Sequence, residues 1–499
     1  MTKGFYIAVL VVYTLCLALI AIYAIIQLNL ALNYQRKKWK KAKEQRPELS
    51  DLPAVTVQLP VFNERYVIER LIKSVAALDY PVDKLEIQVL DDSTDESFDI
   101  AAKLISELQN DGIDIKHIQR KERTGFKAGA LQYGLESAKG EYIAIFDADF
   151  MPKPNFLKEL LPYFDEDRIG MVQARWGHLN ESFSILTKVQ AFHLNNHFTT
   201  EQQGRCSSGL YMNFNGTGGV WRKECIVDAG GWEADTLTED LDLSYRAQLK
   251  GWKFHFTEDV EAPAELPAAM SAIRSQQYRW MKGSSEVARK HLSGILRRND
   301  VPLRVKLHSA GHLLGSSVFF LVLILIFFSL PLILLRHSNM GWFPDWFMSG
   351  LQVLKFTFFA FLFIYLSTLR LKPGKWVEKA KYFITTFPSF LCIISGLSYH
   401  NSSAVLEGFI GKRSDFIRTP KFNIISKENS WSSNVYLKRK LHKNVIAEFL
   451  IFLYISITAA LSIYWGFFDM LPFLLLVGLG FGFILFFSIK HHRIASLGA

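Results

Sequence analysis

The sequence predicts an α/β domain with a parallel-type sheet, set between helices that cross a membrane, and three of its features carry that expectation. Residues 5–32 are almost uninterrupted apolar, long enough to span a bilayer as one helix. From Ala54 to about Pro263 the pattern changes to alternating strand-like and helix-like stretches, several ending on acids. Further apolar runs then fill the chain from Leu313 to Ile489. At 499 residues, more than one structural unit is expected.

Composition narrows the partners. The net charge of +10 could serve nucleic acid, but the basic residues cluster beside apolar spans, as in Arg36-Lys37-Lys38-Trp39-Lys40-Lys41. That placement favours anionic lipid and topology control, and no nucleic acid is expected. Cys16, Cys206, Cys225 and Cys392 lack metal-ligand spacing, so neither a zinc site nor a disulfide framework is expected, and they suit a reducing cytoplasmic face.

The first span outruns a signal-peptide core and leads straight into the basic cluster, so residues 1–33 read as an uncleaved anchor. The positive-inside rule places the chain from Asn33 onward in the cytoplasm and the N-terminus outside. A soluble domain is expected over residues 50–265. Its first strand, 55–59, leads to Pro60-Val61-Phe62-Asn63-Glu64 and a helical stretch to Leu78. A second strand, 85–90, ends on Asp91-Asp92-Ser93; a helix near 97–109 and a short strand near 113–118 come after it. Next comes the loop Arg123-Thr124-Gly125-Phe126-Lys127-Ala128-Gly129-Ala130, then a helix. The run Tyr142-Ile143-Ala144-Ile145-Phe146-Asp147-Ala148-Asp149-Phe150 reads as a buried strand that projects Asp147 and Asp149 side by side at its carboxyl end. That end of an open α/β sheet is where ligands bind. Two close carboxylates ionise together most readily beside a cation, so magnesium or manganese is the natural guest; two solvated acids in a turn is the equal alternative for a lone Asp-x-Asp. A dehydrogenase is disfavoured because no G-x-G-x-x-G follows the first strand.

Residues 266–300 hold an amphipathic, basic helix over 270–296 containing Gln276-Gln277-Tyr278-Arg279-Trp280, expected to lie on the membrane surface. In region 305–410, spans at 313–335 and 353–369 leave and return, the second ending on the basic Arg370-Leu371-Lys372-Pro373-Gly374-Lys375. Stretch 383–397 is short and interrupted by Pro388; were it to cross, the basic loop 411–443 would lie outside. It is therefore placed at the interface or as a re-entrant segment. Region 445–489 supplies an out-and-back pair, making five crossings, with six as the alternative.

The ordered set Asp91-Asp92, Asp147-x-Asp149, Thr238-Glu239-Asp240 and Gln276-x-x-Arg279-Trp280 resembles the membrane-integrated processive enzymes of glycosyltransferase family 2, which include cellulose, mannan and hyaluronan synthases. Each motif alone is weak; four in this order between membrane segments are specific, and the resemblance covers nearly the whole chain. It implies a GT-A-type (Rossmann-like) cytoplasmic catalytic domain inserted between transmembrane helices. It also implies an inverting hexosyltransferase that polymerises a nucleotide-diphosphate sugar, UDP-glucose first and GDP-mannose next, into a β-linked polysaccharide exported through its own helices. The alternative is a non-processive enzyme placing one sugar on a ceramide or isoprenoid phosphate, which needs no polymer channel or lid. A degenerate receptor would lack the acids, and all are present. Export subunits are compatible partners, and no cyclic-dinucleotide-binding segment is expected after Ile489.

The chemistry assigns roles. A divalent cation makes the diphosphate a leaving group, with Asp149 the expected direct ligand and Asp147 a contact to metal or nucleotide. Asp92 and Glu64 are placed for the ribose or base, and Lys127 for a phosphate, an ordinary surface lysine being the plainer reading. By resemblance Asp240 is the general base and Glu239 its support; a helix start with Thr238 as N-cap is the structural alternative. Arg279 can hold the diphosphate as charge develops, while Trp280, beside Gln276, offers a flat face for a sugar ring. Alone, an Arg-Trp pair on such a helix is a lipid anchor. Phe214-Asn215-Gly216-Thr217 is expected to flank the acceptor. Together with Glu201-Gln202-Gln203 it looks like the plant cellulose-synthase-like enzymes that make mannan or xyloglucan backbones, whereas cellulose synthases carry a cysteine in that loop. Finally, Phe416-Ile417-Arg418-Thr419-Pro420-Lys421 resembles the gating loop that closes over the donor; Phe416, Thr419 and Lys421 match, and Arg418 departs from the usual valine. A lid shares a compartment with its site, which agrees with five crossings.

Overall fold

The computed structural model describes residues 3–40, 51–338, 345–426, 429–432, 434–437 and 441–497. Lys41 of the basic cluster, residue 50 of the expected domain and parts of the 411–443 loop lie outside the described residues. Among those described, seven strands form one sheet: β1 (Val55–Val61), β2 (Leu85–Asp91), β3 (Ile115–Ile118), β4 (Tyr142–Ile145), β5 (Ile169–His178), β6 (Gly219–Arg222) and β7 (Lys253–Ala264). Their order is β3-β2-β1-β4-β6-β5-β7. β1 runs parallel to β2 and β4, β2 to β3, and β5 to β7, but β6 is antiparallel to both neighbours. The expected parallel-type sheet is therefore mixed. The long helical excursion between β5 and β6 returns the chain at the carboxyl end of the sheet, so β6 must run back away from it.

Both faces of β1 and β2 are buried: alternate apolar residues fill one face, while Thr56 with Glu86 and Gln58 with Gln88 satisfy each other by hydrogen bonds on the other. One face packs Val57, Leu59, Ile87 and Val89 against the helices Ile68–Ala76 and Ser97–Asn110. The other packs Leu90, Ile143 and Ile145 against the helix Phe126–Ser137. Burying each such side chain contributes about 1.5–3 kcal/mol.

β4 ends at Ile145, earlier than its composition suggests. Phe146 N–H still donates to Gln58 O at 3.2 Å, but Phe150 N–H turns back to Asp147 O at 3.0 Å, so the two acids sit in a turn. The helix Ile185–Asn196 starts from a capping box: Ser184 Oγ accepts from Thr187 N–H (3.2 Å) and Thr187 Oγ1 accepts from Ser184 N–H (2.9 Å). It runs on as a π-helix, His197–Gln203, a rare form that is frequent at functional sites.

Among the described residues, five helices are long and apolar enough to cross a membrane: Gly4–Arg36, Gly315–His337, Gly350–Leu371, Asn444–Tyr464 and Phe468–Ser496. They overlap the five spans expected from sequence. The segment around Pro388 belongs to a helix pair, Trp376–Gly396 and Ser398–Ile410, bent by 51° at Leu397. By length and composition that pair is either a broken sixth span or a re-entrant turn.

The amphipathic helix expected from sequence forms over Met270–Arg297, and other segments hold it: Lys282 Nζ donates to Lys412 O (2.5 Å) and Ser414 Oγ (2.6 Å). Arg274 forms a fork to Glu448 at 2.6 and 2.7 Å and reaches Ser488 Oγ at 3.0 Å. Polar positions of an amphipathic helix can point inward when another chain segment brings the opposite charge. The side chains of Arg274 and Glu448 are 2% and 0% exposed. Glu448→Ala strands a buried guanidinium and is expected to cost about 3–5 kcal/mol, read as a lowered melting temperature in detergent. Arg274→Met with Glu448→Leu should recover it; a double variant less stable than the single would overturn this account.

Candidate active site

A cavity opens at the carboxyl ends of β1, β2 and β4, lined also by the 123–130 loop, the start of the helix Glu239–Leu249, the helix Met270–Arg297 and the 416–421 loop. Glu64, Asp92, Lys127, Asp147, Asp149, Asn215, Gly216, Glu239, Asp240, Gln276, Arg279, Trp280, Phe416, Thr419 and Lys421 all line it. Its free volume, about 150 Å³, falls below the roughly 300–1,000 Å³ of small-molecule sites because loop side chains reach in.

The strand ends are pinned first. Asn63 sits at φ +55°, a left-handed conformation that Asn tolerates; its N–H donates to Ser93 Oγ at 2.8 Å, and its Oδ1 accepts Thr94 N–H at 2.8 Å. This tie joins the ends of β1 and β2 and fixes Glu64. Burial pushes the Glu64 carboxyl up to about 7 against the pull of Arg418 and Lys421, and Arg418 Nη1 lies 2.9 Å from it. Asp92 receives a two-pronged contact from Arg120, Nε at 3.0 Å and Nη2 at 2.5 Å. Arg123 lies 3.5 Å over the Phe62 ring. Arg120 and Arg123 were missed from sequence, where they read as loop charge.

Lys127 is an interior lysine. Nζ donates to Asp147 Oδ1 (2.6 Å) and Gly216 O (2.9 Å) and lies 3.8 Å from Glu239. Burial alone would lower its pKa, but Asp147 and Glu239 outweigh it and raise it. Its loop needs Gly129, where a Cβ would stand 2.1 Å from Thr124 O. Phe126 beside it holds φ +49°, strain that stacking on Phe416 (5.8 Å between rings) accompanies.

Asp149 is buried; Oδ2 pairs with Lys421 Nζ at 2.8 Å while Oδ1 has no partner. A buried carboxylate oxygen left open in this way fits a divalent cation, with the more exposed Asp147 beside it in the turn. Another carboxylate group close enough to hold a metal, Glu233, Asp235 and Asp242, surrounds Lys290 Nζ at 2.7, 2.9 and 2.9 Å, so its cation is already a lysine.

Across the cavity, burial and the neighbouring Glu239 push Asp240 up to about 7, against Lys127 and Arg279. Gly216 makes room for it: at φ +80°, a Cβ there would lie 2.9 Å from Asp240 Oδ2. Thr238 does not cap the helix; its buried Oγ1 has no partner. Arg279 stands 4.9 Å from the Phe416 ring, so the Met270–Arg297 helix and the 416–421 loop meet over the cavity.

Two expected acceptor contacts are corrected. Phe214 is fully buried and packs edge-on to Trp221 at 5.5 Å, in the core behind the site. Thr217 is buried too, its Oγ1 accepting Asp147 N–H at 2.9 Å, so it shapes the acid turn. The left-handed turn at Gly216 (φ +80°) breaks the alternation, leaving these two inward and Asn215 and Gly216 at the cavity. Arg418, where the resemblance expects valine, stacks 4.0 Å over Tyr436 and latches the loop to Glu64.

Residues 53–283 match the family model described as glycosyltransferase like family 2. Glucomannan 4-beta-mannosyltransferase 1 of Oryza sativa subsp. japonica is 42% identical over 269 residues, 52% of this chain and 52% of that protein. Glucomannan 4-beta-mannosyltransferase 1 of Cyamopsis tetragonoloba is 38% identical over 296 residues, 58% and 56% respectively. The chain thus spans about half the length of these curated relatives. Among solved structures, the mannosyltransferase PcManGT of Pyrobaculum calidifontis, in complex with GDP-Man and Mn2+, superposes with a TM-score of 0.53 at 20% identity, covering 80% of this chain and 100% of that one. At that identity the likeness is one of fold. The seven-stranded sheet shares its GT-A-type fold with that protein. Residues 53–283 thus carry the match to that family model, in line with the resemblance of the motifs.

Proposed function

We propose that this protein is an inverting, processive mannosyltransferase that builds a β-linked mannan or glucomannan from GDP-mannose at the cytoplasmic membrane face and passes the chain through its own helices. The observation that carries the reading is convergence: Asp147 and Asp149, Asp240, Arg279 with Trp280, and the 416–421 loop meet at one cavity, and the helix bearing Arg279 is clamped to the apolar C-terminal helices. Sequence motifs alone favoured UDP-glucose. GDP-mannose replaces it because the curated relatives are named mannosyltransferases and the fold neighbour was solved with GDP-Man.

The residues divide the work. Asp149 with Asp147 would hold a divalent cation, magnesium or manganese, whose charge would neutralise the diphosphate. Glu64 and Asp92 border the nucleotide end of the cavity, and Lys127 and Arg279 offer positive charge to the phosphates. Asp240 takes the proton of the acceptor hydroxyl as that oxygen bonds the donor's anomeric carbon and the bond to the diphosphate breaks. A single displacement on an α-linked donor leaves a β-linkage. Trp280 offers a stacking face to the acceptor sugar, and Phe416, Thr419 and Lys421 close the donor side.

Protein in vesicles, given labelled GDP-mannose or UDP-glucose with manganese or magnesium, tests this. Expected is β-mannanase-sensitive polymer from GDP-mannose, protected inside the vesicle lumen. A product with one sugar per lipid overturns processivity, and polymer from UDP-glucose alone overturns the donor.

A further inference from the structure

The Glu201-Gln202-Gln203 triplet has no role in the chemistry above, yet it leads by hydrogen bonds into the site. The amide of Gln202 donates to Asn213 O and to Asn215 Oδ1, both at 2.6 Å. A backbone carbonyl can only accept, so this fixes the Gln202 amide and makes Oδ1 the bonded atom of Asn215. Asn215 Nδ2 therefore faces His197 Nε2, at 2.8 Å, and must donate to it. Nε2 is then the acceptor of a neutral imidazole, and Nδ1 carries the proton, donated to Glu201 Oε2 at 2.9 Å. Burial would raise the Glu201 carboxyl, but His197 and Arg205 hold it well below the usual range, a standing acceptor for that proton. The π-turn sets His197 and Glu201 face to face inside the fold. Asn215 itself lines the cavity beside Gly216 and Asp240, with one N–H spent on His197 and one left.

We infer that His197 and Glu201 are positioning residues for the acceptor, locking the Asn215 amide so that its remaining N–H donates to an acceptor sugar hydroxyl oxygen beside Asp240. The proposal deepens the polymerase reading and rests on it. Glu201 selects the tautomer of His197, His197 and Gln202 select the face of Asn215, and Asn215 aligns the hydroxyl whose proton goes to Asp240. Without the lock, the amide rotates and presents its oxygen, which accepts the hydroxyl proton and turns it away from Asp240.

The test uses the full protein in vesicles, with initial rates at varied manno-oligosaccharide and varied GDP-mannose. His197→Leu should raise the acceptor KM by about tenfold or more, since misplaced substrate costs up to about 10²-fold, with the donor KM unchanged. His197→Gln, whose amide oxygen reaches the Nε2 position, should restore it; His197→Asn, which reaches only the Nδ1 position, should not, and serves if the leucine variant fails to fold. An unchanged acceptor KM in His197→Leu and His197→Asn, or equal loss in donor and acceptor KM across all three, overturns the inference. If the wild-type protein glycosylates a lipid instead, the polymer reading falls while the same comparison on that lipid still decides the role of His197.

Discussion

Asp240→Asn is expected to lower polymer formation by about 10³-fold, within the 10²–10⁴ that a positioned base supplies, while leaving nucleotide affinity and thermal stability near wild type. Asn keeps the shape of the side chain but cannot take a proton. The pH profile is an independent check. Burial and Glu239 push Asp240 up to about 7, and the base acts only when deprotonated. Activity should therefore be full above that value and fall with acidification through it, approaching about tenfold per pH unit. Glu239→Gln removes the repelling charge and should shift this acid limb to lower pH, because the neighbouring carboxylate is one reason the pKa is high. Undiminished activity in Asp240→Asn, or a limb that Glu239→Gln leaves in place, would assign the base elsewhere.

Asp149→Asn is expected to cost about 10³-fold or more in polymer formation, the several kcal/mol that a metal contributes to a phosphoryl leaving group. A direct readout is Mn2+ affinity by titration. Asp149→Asn should abolish it, and Lys421→Gln should strengthen it without donor present. The reason is that Lys421 Nζ sits 2.8 Å from Asp149 Oδ2, where an ammonium competes with a cation for the same carboxylate. Metal binding that survives Asp149→Asn, or weakens in Lys421→Gln, would place the ion on other residues.

The sequence anticipated the sheet strands of the donor half closely, because the apolar residues of β1 and β2 recur at every second position and mark a buried face. It anticipated the five apolar helices for a similar reason, since a span must be apolar whatever it packs against. It named no strand for β5, β6 or β7 and so missed the antiparallel β6, which is only four residues long. It misread Phe214 and Thr217, because a motif names a stretch of chain but not which of its side chains turn inward. Arg120 and Arg123 escaped notice because their partners, Asp92 and Phe62, come from other strand ends. The expected surface helix carried the right amphipathic signal, but Glu448 draws its Arg274 inward from 174 residues away.

Sequence by itself thus determined the class of fold, the apolar helices that flank it and the residue types of the Asp147–Asp149 and Asp240 sites, since composition and local period respond to burial and to charge. Only the tertiary structure decided which oxygen of Asp149 stays open, why Asp240 titrates near neutrality, and how Glu201 reaches Asn215 through His197. Those properties depend on distances between groups far apart in the chain, and electrostatic and hydrogen-bond energies change within a single ångström.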